Sequence, residues 1–210
     1  AEPAPARSHS LLACDMTELP STLAVMALRA ESAGVFEAAG LPVLYCGVGK
    51  VNAAIALSRE LMLYEVRGQP MPLVVNFGSA GSPSFATGAL VSCHEFVQRD
   101  MDVSGLGFAL GVTPFDEDSS LLRFDALFTH LPTAVCGSGD SFATAGVDLD
   151  CGVCDMEAYA LAKACRRAQA PFACAKYVSD GADHAAADDW RRNVHKAAEE
   201  FLSLYRSVVR

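Results

Sequence analysis

Short apolar runs of strand length alternate along this chain with longer stretches of helical spacing. Leu23-Ala24-Val25-Met26 reads as a buried strand. Residues 27–39 have helical spacing and stop at Gly40. Pro42 to Val48 reads as a strand. Lys50 to Arg67 reads as a strong helix, with Val51, Ala54, Ile55, Leu57, Leu61 and Tyr64 on one apolar stripe and Gly68 behind it. Leu73 to Phe77 is continuously apolar, the pattern of a central parallel strand, and runs into the small-residue turn Gly78-Ser79-Ala80-Gly81-Ser82. Further strands are expected at Ala89 to Val97, Ala134 to Gly137 and Phe172 to Val178. Asp155 to Ala168 and Asp188 to Val209 read as helices, and Arg99 to Ser120 as an irregular loop.

This alternation predicts an α/β fold: a three-layer α/β/α sandwich around a mostly parallel, mixed sheet. In such sheets ligands bind at the carboxyl ends of the strands. The polar turns at 78–82, 138–142 and 179–183 all follow strands, so they are expected to share one rim.

The chain of 210 residues suits one domain, expected over 21–210. Residues 1–20 read as a leader, since the stretch to Asp15 is rich in Ala, Pro and Ser. A net charge of −9 opposes nucleic acid and anionic membrane as partners. No apolar run reaches the roughly 18–20 residues that span a bilayer. Eight cysteines are spread through expected helices and strands, which fits buried thiols in a reducing cytoplasm.

Three carboxylates stand out. Asp180 directly follows an apolar strand in Ser179-Asp180-Gly181. Glu157 opens an otherwise apolar helix, and Glu31 follows the first strand. Singly, each has a bland role as a cap, a turn or a partner of the helix dipole. Together on one rim they match what glycosidic cleavage needs: an acid for the leaving group, a carboxylate for water, and acceptors for sugar hydroxyls.

Five segments occur in the order of a known family. They are Met26-Ala27-Leu28-Arg29-Ala30-Glu31; Cys46-Gly47-Val48-Gly49-Lys50-Val51-Asn52-Ala53-Ala54; Val75-Asn76-Phe77-Gly78-Ser79-Ala80-Gly81; Ser138-Gly139-Asp140-Ser141-Phe142 with Asp155-Met156-Glu157-Ala158; and Val178-Ser179-Asp180-Gly181-Ala182-Asp183. With them, residues 22 to 209 resemble the 5′-methylthioadenosine/S-adenosylhomocysteine nucleosidases of the purine nucleoside phosphorylase family. The resemblance implies hydrolysis of the N-glycosidic bond of a 5′-modified adenosine, without metal or cofactor.

It further implies that Glu31 activates water and Asp180 protonates purine N7, with Ser179 placing it. Met156 and Glu157 would bind the ribose, Phe142 would stack on the base, and the Ala143 backbone would read its edge. Ser79, Ala80 and Gly81 would form the small turn beside sugar and water. Arg99-Asp100-Met101-Asp102-Val103 resembles the family's dimer-side loop, which implies a homodimer. Asn76 stands where the phosphorylases carry a phosphate-binding Arg, favouring water as nucleophile. Lys176 replaces a family Arg near the water. Arg29 superficially resembles a second phosphate Arg of the phosphorylases, but a solvated helix surface is the favoured reading for it. The connection at Gly40 to Pro42 and the stretch from Phe142 to Asp155 are short for the family, which leaves the 5′ substituent open.

Two rivals are a phosphate-dependent phosphorylase on the same fold and a non-catalytic nucleoside sensor or thiol-redox protein using Cys151 and Cys154. Gly47-Val48-Gly49-Lys50 hints at phosphate binding but lacks a full glycine-rich loop. Trp190 and the final helix read as packing.

Overall fold

The computed structural model describes residues 18–144 and 151–209. Most of the expected leader, residues 1–17, lies outside the described residues. Its last three are held in place: the Leu19 N–H donates to Gln69 at 3.2 Å, and the Pro20 carbonyl accepts the Tyr64 hydroxyl at 2.8 Å.

Eight strands form one mixed sheet: β1 (Thr22–Met26), β2 (Val43–Tyr45), β3 (Leu73–Gly81), β4 (Leu90–Gln98), β5 (Leu121–Arg123), β6 (Thr133–Ser138), β7 (Val153–Asp155) and β8 (Phe172–Asp180). Their order is β2-β1-β3-β7-β6-β4-β5, with β8 paired to β3 on one side and β4 on the other. β1 runs parallel to β2 and β3, β3 to β8, β4 to β6, and β6 to β7. β8 meets β4 antiparallel, as β5 does, and β7 touches β3 antiparallel at Gly81↔Cys154.

Strand alternation sorts the core into two layers. Leu23, Val25, Val74, Phe172 and Cys174 face α3 (Lys50–Val66) and α4 (Ala158–Ala168). Their neighbours Ala24, Met26, Val75, Phe77, Ala173 and Ala175 face the other side, against Phe36 of α2 (Val35–Ala38) and Phe201, Leu202 and Tyr205 of α6 (Ala198–Val208). The three-layer expectation therefore holds.

Four expectations of local structure are corrected. The helix expected over 27–39 is two single turns, α1 (Arg29–Ser32) and α2, separated by left-handed Ala33 and Gly34. The Glu31 carboxylate takes the N–H groups of Ala27 and Leu28, closing the first turn locally. The expected final helix is split into α5 (Ala186–Asn193) and α6, because the Asn193 side chain donates to the Ser179 carbonyl and pins the end of α5 to β8. The small residues after Phe77 and after Val178 extend β3 and β8, with Ser79 opposite Tyr177 and Ala80 opposite Val178. Finally, α4 starts at Ala158 and not at Asp155, which belongs to β7.

Along α3 the expected stripe also divides. Leu57, Leu61 and Tyr64 are buried, whereas Val51 and Ile55 are 68% and 54% exposed. At about 100° per residue Val51 and Ile55 lie roughly 120–160° round the helix from Leu57, so they point away from the sheet and α3 keeps an apolar outer side.

One polar cluster crosses this core. Lys176 of β8, 1% exposed, pairs with Asp155 of β7 at 2.8 Å. Ser138 of β6 donates to Asp155, and the N–H groups of Ala158 and Tyr159 at the start of α4 reach Asp155 and Ser138 at 2.9 and 2.8 Å. Burial pushes the Asp155 carboxyl up, but the Lys176 charge and these donors outweigh it and hold the carboxyl below its ordinary value.

Removing Lys176 strands a buried carboxylate. Lys176→Met should lower unfolding free energy by about 3–5 kcal/mol near neutral pH, measured by denaturant titration. Stabilisation by Asp155 is complete above its unfolded-state value and is lost as pH falls through the folded-state value. The gap between wild type and Lys176→Met should therefore narrow in acid. An unchanged midpoint at neutral pH would remove the cluster from the stability account.

Candidate active site

At the carboxyl ends of β1, β3, β7 and β8 lies a cavity of about 310 Å3. Its lining brings together Glu31, Ser79, Ala80, Gly81, Phe142, Ala143, Met156, Glu157, Ser179 and Asp180. Each of these was picked out from sequence, and they come from segments as far apart as α1 and the end of β8. Lys176 is not in the lining. It stands behind Gly78, where an added Cβ would lie 3.2 Å from Lys176 Nζ and 3.1 Å from Glu31 Oε1. Arg29 lies elsewhere: its side chain is 76% exposed, pairs with Glu37 at 3.1 Å and covers the Tyr45 ring. α1 turns Arg29 outward, to a solvated surface position and away from the cavity.

Glu31 is buried and meets four donors. Oε2 accepts from Ala27 and Leu28 N–H at 2.9 and 3.0 Å; Oε1 accepts from Ser79 N–H and Oγ at 2.9 and 3.1 Å. Such a set, all donors, suits an acceptor-only carboxylate.

Asp180 ends β8. Its Oδ1 accepts the Ala182 N–H at 3.0 Å and its Oδ2 lies 2.8 Å from Ser179 Oγ. The Ala80 carbonyl is 3.3 Å from the same hydroxyl. Ser179 can therefore donate to an ionised Asp180, or accept from a protonated one while donating to Ala80. Burial pushes the Asp180 carboxyl up, against the lowering by Ser179 and Ala182. A Cβ on Gly81 would come within 2.6 Å of Asp180 Oδ1, so only glycine leaves that carboxyl its place.

Glu157 accepts the Gly49 N–H at 2.9 Å. Burial first, and the neighbouring Asp155 charge second, push its carboxyl up to about 7. Three carboxyls of one chemistry thus sit in three electrostatic settings.

The backbone at the start of α3 is already occupied. Gly49 N–H serves Glu157, Lys50 N–H donates to Asp140 at 2.7 Å, and Lys50 Nζ binds Asp100 at 2.6 Å. Protein carboxylates fill the place an incoming phosphate would need there. Asn76 is buried and spends its amide on the carbonyls of Val25 and Phe77. Arg99, which does line the cavity, gives its terminal amino groups to Ser141 and the Gly139 carbonyl, while its Nε is buried with no hydrogen-bond partner among the described residues.

Cys151 and Cys154 are buried with sulfurs 3.5 Å apart, and their contact together with burial pushes the Cys154 thiol well up.

Sequence reading missed several lining residues: Asp155, Arg99, Trp190 and Arg191. Asp155 could have been found, since Cys154-Asp155 continues an apolar run before the helix-opening Glu157. Trp190 gives no local signal, because α5 reaches the cavity only through its docking on β8.

Residues 35–210 match the family model of the phosphorylase superfamily. A 5′-methylthioadenosine/S-adenosylhomocysteine nucleosidase of Anoxybacillus flavithermus is 31% identical over 197 residues, covering 84% of this chain and 83% of that protein. Its counterpart in a Marinomonas species is 29% identical over 198 residues, 84% of each chain. Among solved structures, a futalosine hydrolase mutant of Helicobacter pylori superposes with a TM-score of 0.76 at 20% identity, over 90% of this chain and 99% of that one. The 5′-methylthioadenosine/S-adenosylhomocysteine nucleosidase of the same organism, complexed with a 4-aminopyrrolopyrimidine-bearing pyrrolidinol, gives 0.75 at 20% identity, over 89% and 96%. The structural likenesses carry the fold and the sequence matches carry the descent: the chain belongs to the phosphorylase superfamily.

Proposed function

We propose that this protein hydrolyses the N-glycosidic bond of a purine nucleoside, a 5′-modified adenosine of the methylthioadenosine/S-adenosylhomocysteine type, and releases the free base. The observation that carries this reading is the convergence of Glu31, Glu157, Asp180 and Phe142 on one nucleoside-sized cavity. The nucleosidases of Anoxybacillus and Marinomonas support it.

In this reading Asp180 delivers a proton to purine N7 as the C1′–N9 bond breaks, so the base leaves neutral. Burial, which raises its carboxyl, supplies the acid form. Positive charge builds on the sugar as in other glycosidic cleavage. Water adds its oxygen to C1′ and passes a proton to Glu31. Glu157 accepts from the ribose hydroxyls, Met156 packs on the sugar, and Phe142 faces the base with the Ala143 backbone at its edge. Lys176, behind Gly78, places positive charge beside Glu31 without entering the cavity. An Asp at position 180 can also accept from a 6-amino group, which favours adenine.

Water is preferred to phosphate as nucleophile because Asn76 and the start of α3 already spend their polar groups within the protein. The enzyme is further proposed to be a cytoplasmic homodimer. Buried thiols at Cys46, Cys93, Cys136, Cys165 and Cys174 suit a reducing compartment. The exposed apolar side of α3, with Val51, Ile55, Met62 and Val66, suits a partner surface. Among the described residues no helix is long and apolar enough to cross a membrane.

Asp180→Asn and Glu31→Gln should each lower kcat by about 10²- to 10⁴-fold, the range of general acid–base catalysis, with folding intact by circular dichroism. Near-normal turnover in both would end these assignments. Base release from methylthioadenosine, S-adenosylhomocysteine, adenosine, inosine and futalosine should favour the 5′-modified adenosines and proceed undiminished in phosphate-free buffer. Strict phosphate dependence would replace the hydrolase by a phosphorylase. Since the Glu157 carboxyl is pushed up to about 7, KM should rise as pH falls below that value and the acceptor is neutralised. Its folded-state value lies above the unfolded one, so ionisation costs stability from above about 4.5 and fully above about 7. Glu157→Gln should therefore raise the melting temperature at pH ~8 but not at pH ~4, while weakening substrate binding. A KM flat across pH 6 to 8 would contradict this placement of charge on the sugar.

A further inference from the structure

The chain has one tryptophan, Trp190. It sits on α5, its ring is half-buried, and it lines the cavity beside Glu31, Ser79 and Asp180. The indole Nε1–H donates to Ser79 Oγ at 3.0 Å. An indole nitrogen can only donate, so Ser79 Oγ must be the acceptor of that bond. The single proton of the Ser79 hydroxyl is then directed elsewhere, and Glu31 Oε1 at 3.1 Å is the acceptor within reach. The result is a directed chain: Trp190 to Ser79 to Glu31.

The rest of the carboxylate is already fixed by backbone. Ala27 and Leu28 hold Oε2, and the Ser79 N–H holds Oε1. The Ser79 hydroxyl is the one donor of the four that can rotate away. α5 in turn is anchored on the acid side of the site, through Asn193 to the Ser179 carbonyl. The same short helix therefore touches both ends of the reaction.

We propose that Trp190 is a positioning residue for hydrolysis: its indole N–H locks the Ser79 hydroxyl as a donor to Glu31 and so fixes the carboxylate that takes the proton of water. This rests on the role given to Glu31 above. It also assigns Trp190 a place in the cavity wall, where its emission reports occupancy.

Trp190→Phe keeps an aromatic ring, deletes the donor and trims the fused second ring, a loss of bulk that the Ser79→Ala background separates from the loss of the hydrogen bond. It should lower kcat about three- to tenfold, the size of one hydrogen bond, with KM within about twofold of wild type. Because the indole acts through Ser79, Ser79→Ala/Trp190→Phe should be no slower than Ser79→Ala alone. A C-nucleoside of adenine, whose glycosidic carbon–carbon bond resists hydrolysis, should change the tryptophan emission of the wild-type enzyme on titration.

Unchanged kcat in Trp190→Phe would overturn the proposal. So would a loss that persists in full on the Ser79→Ala background, or an emission that ignores a saturating C-nucleoside. Normal turnover of Glu31→Gln is a separate outcome: it would remove the water-activating role itself, and the positioning role with it. Loss of activity in Glu31→Gln alongside a wild-type Trp190→Phe would remove only the latter.

Discussion

A single buried ion pair organises the site. Lys176, midway along β8, and Asp155, at the end of β7, come from strands that do not pair with each other and meet at 2.8 Å in the interior. Two opposite charges taken out of water are stable only when each stays satisfied. Asp155 is satisfied by Lys176, Ser138 and the first N–H of α4, so the pair fixes where β6, β7, β8 and α4 meet. Glu157 follows two residues after Asp155, and Asp180 four residues after Lys176. The positions of Glu157 and Asp180 thus descend from the pair.

The same pair shapes the electrostatics. Burial raises the Glu157 carboxyl first, and Asp155, held ionised beside Lys176, adds its repulsion, so that it reaches about 7 against the opposing pull of Lys176. Asp180 lies among its own donors and rises through burial. Glu31 faces only donors and stands near the Lys176 ammonium behind Gly78. Separate environments for like groups are what acid–base chemistry on two faces of one bond requires.

Small residues do quieter work. Gly78 and Gly81 of β3 leave room for Lys176 and Asp180 of β8 and for Glu31 of α1. The extension of β3 and β8 through Gly78 to Gly81 and through Ser179-Asp180 turns what read as rim loops into ordered strand ends. Rigid elements, more than loops, therefore hold the chemistry.

Much was legible in sequence. Strand and helix alternation gave the layers, since burial on two faces imposes its own periodicity. Motif order picked out Glu31, Glu157, Asp180 and Phe142, because glycines and carboxylates at strand ends are unusual wherever they serve packing alone. Other features were hidden. The break at Ala33-Gly34 and the break after Asn193 arise from side chains bonding to distant backbone, which local propensity does not contain. The burial of Lys176 could not be read from an isolated lysine in an apolar strand until Asp155 was placed opposite it. The role of Trp190 depends on 111 residues of separation from Ser79 collapsing to a 3.0 Å contact. The sequence by itself determined which residue types and periodicities were present, and hence the fold class and the motif residues. Only the tertiary structure decided which polar groups satisfy one another, because in a buried, low-dielectric interior that choice is made by geometry and not by neighbourhood along the chain.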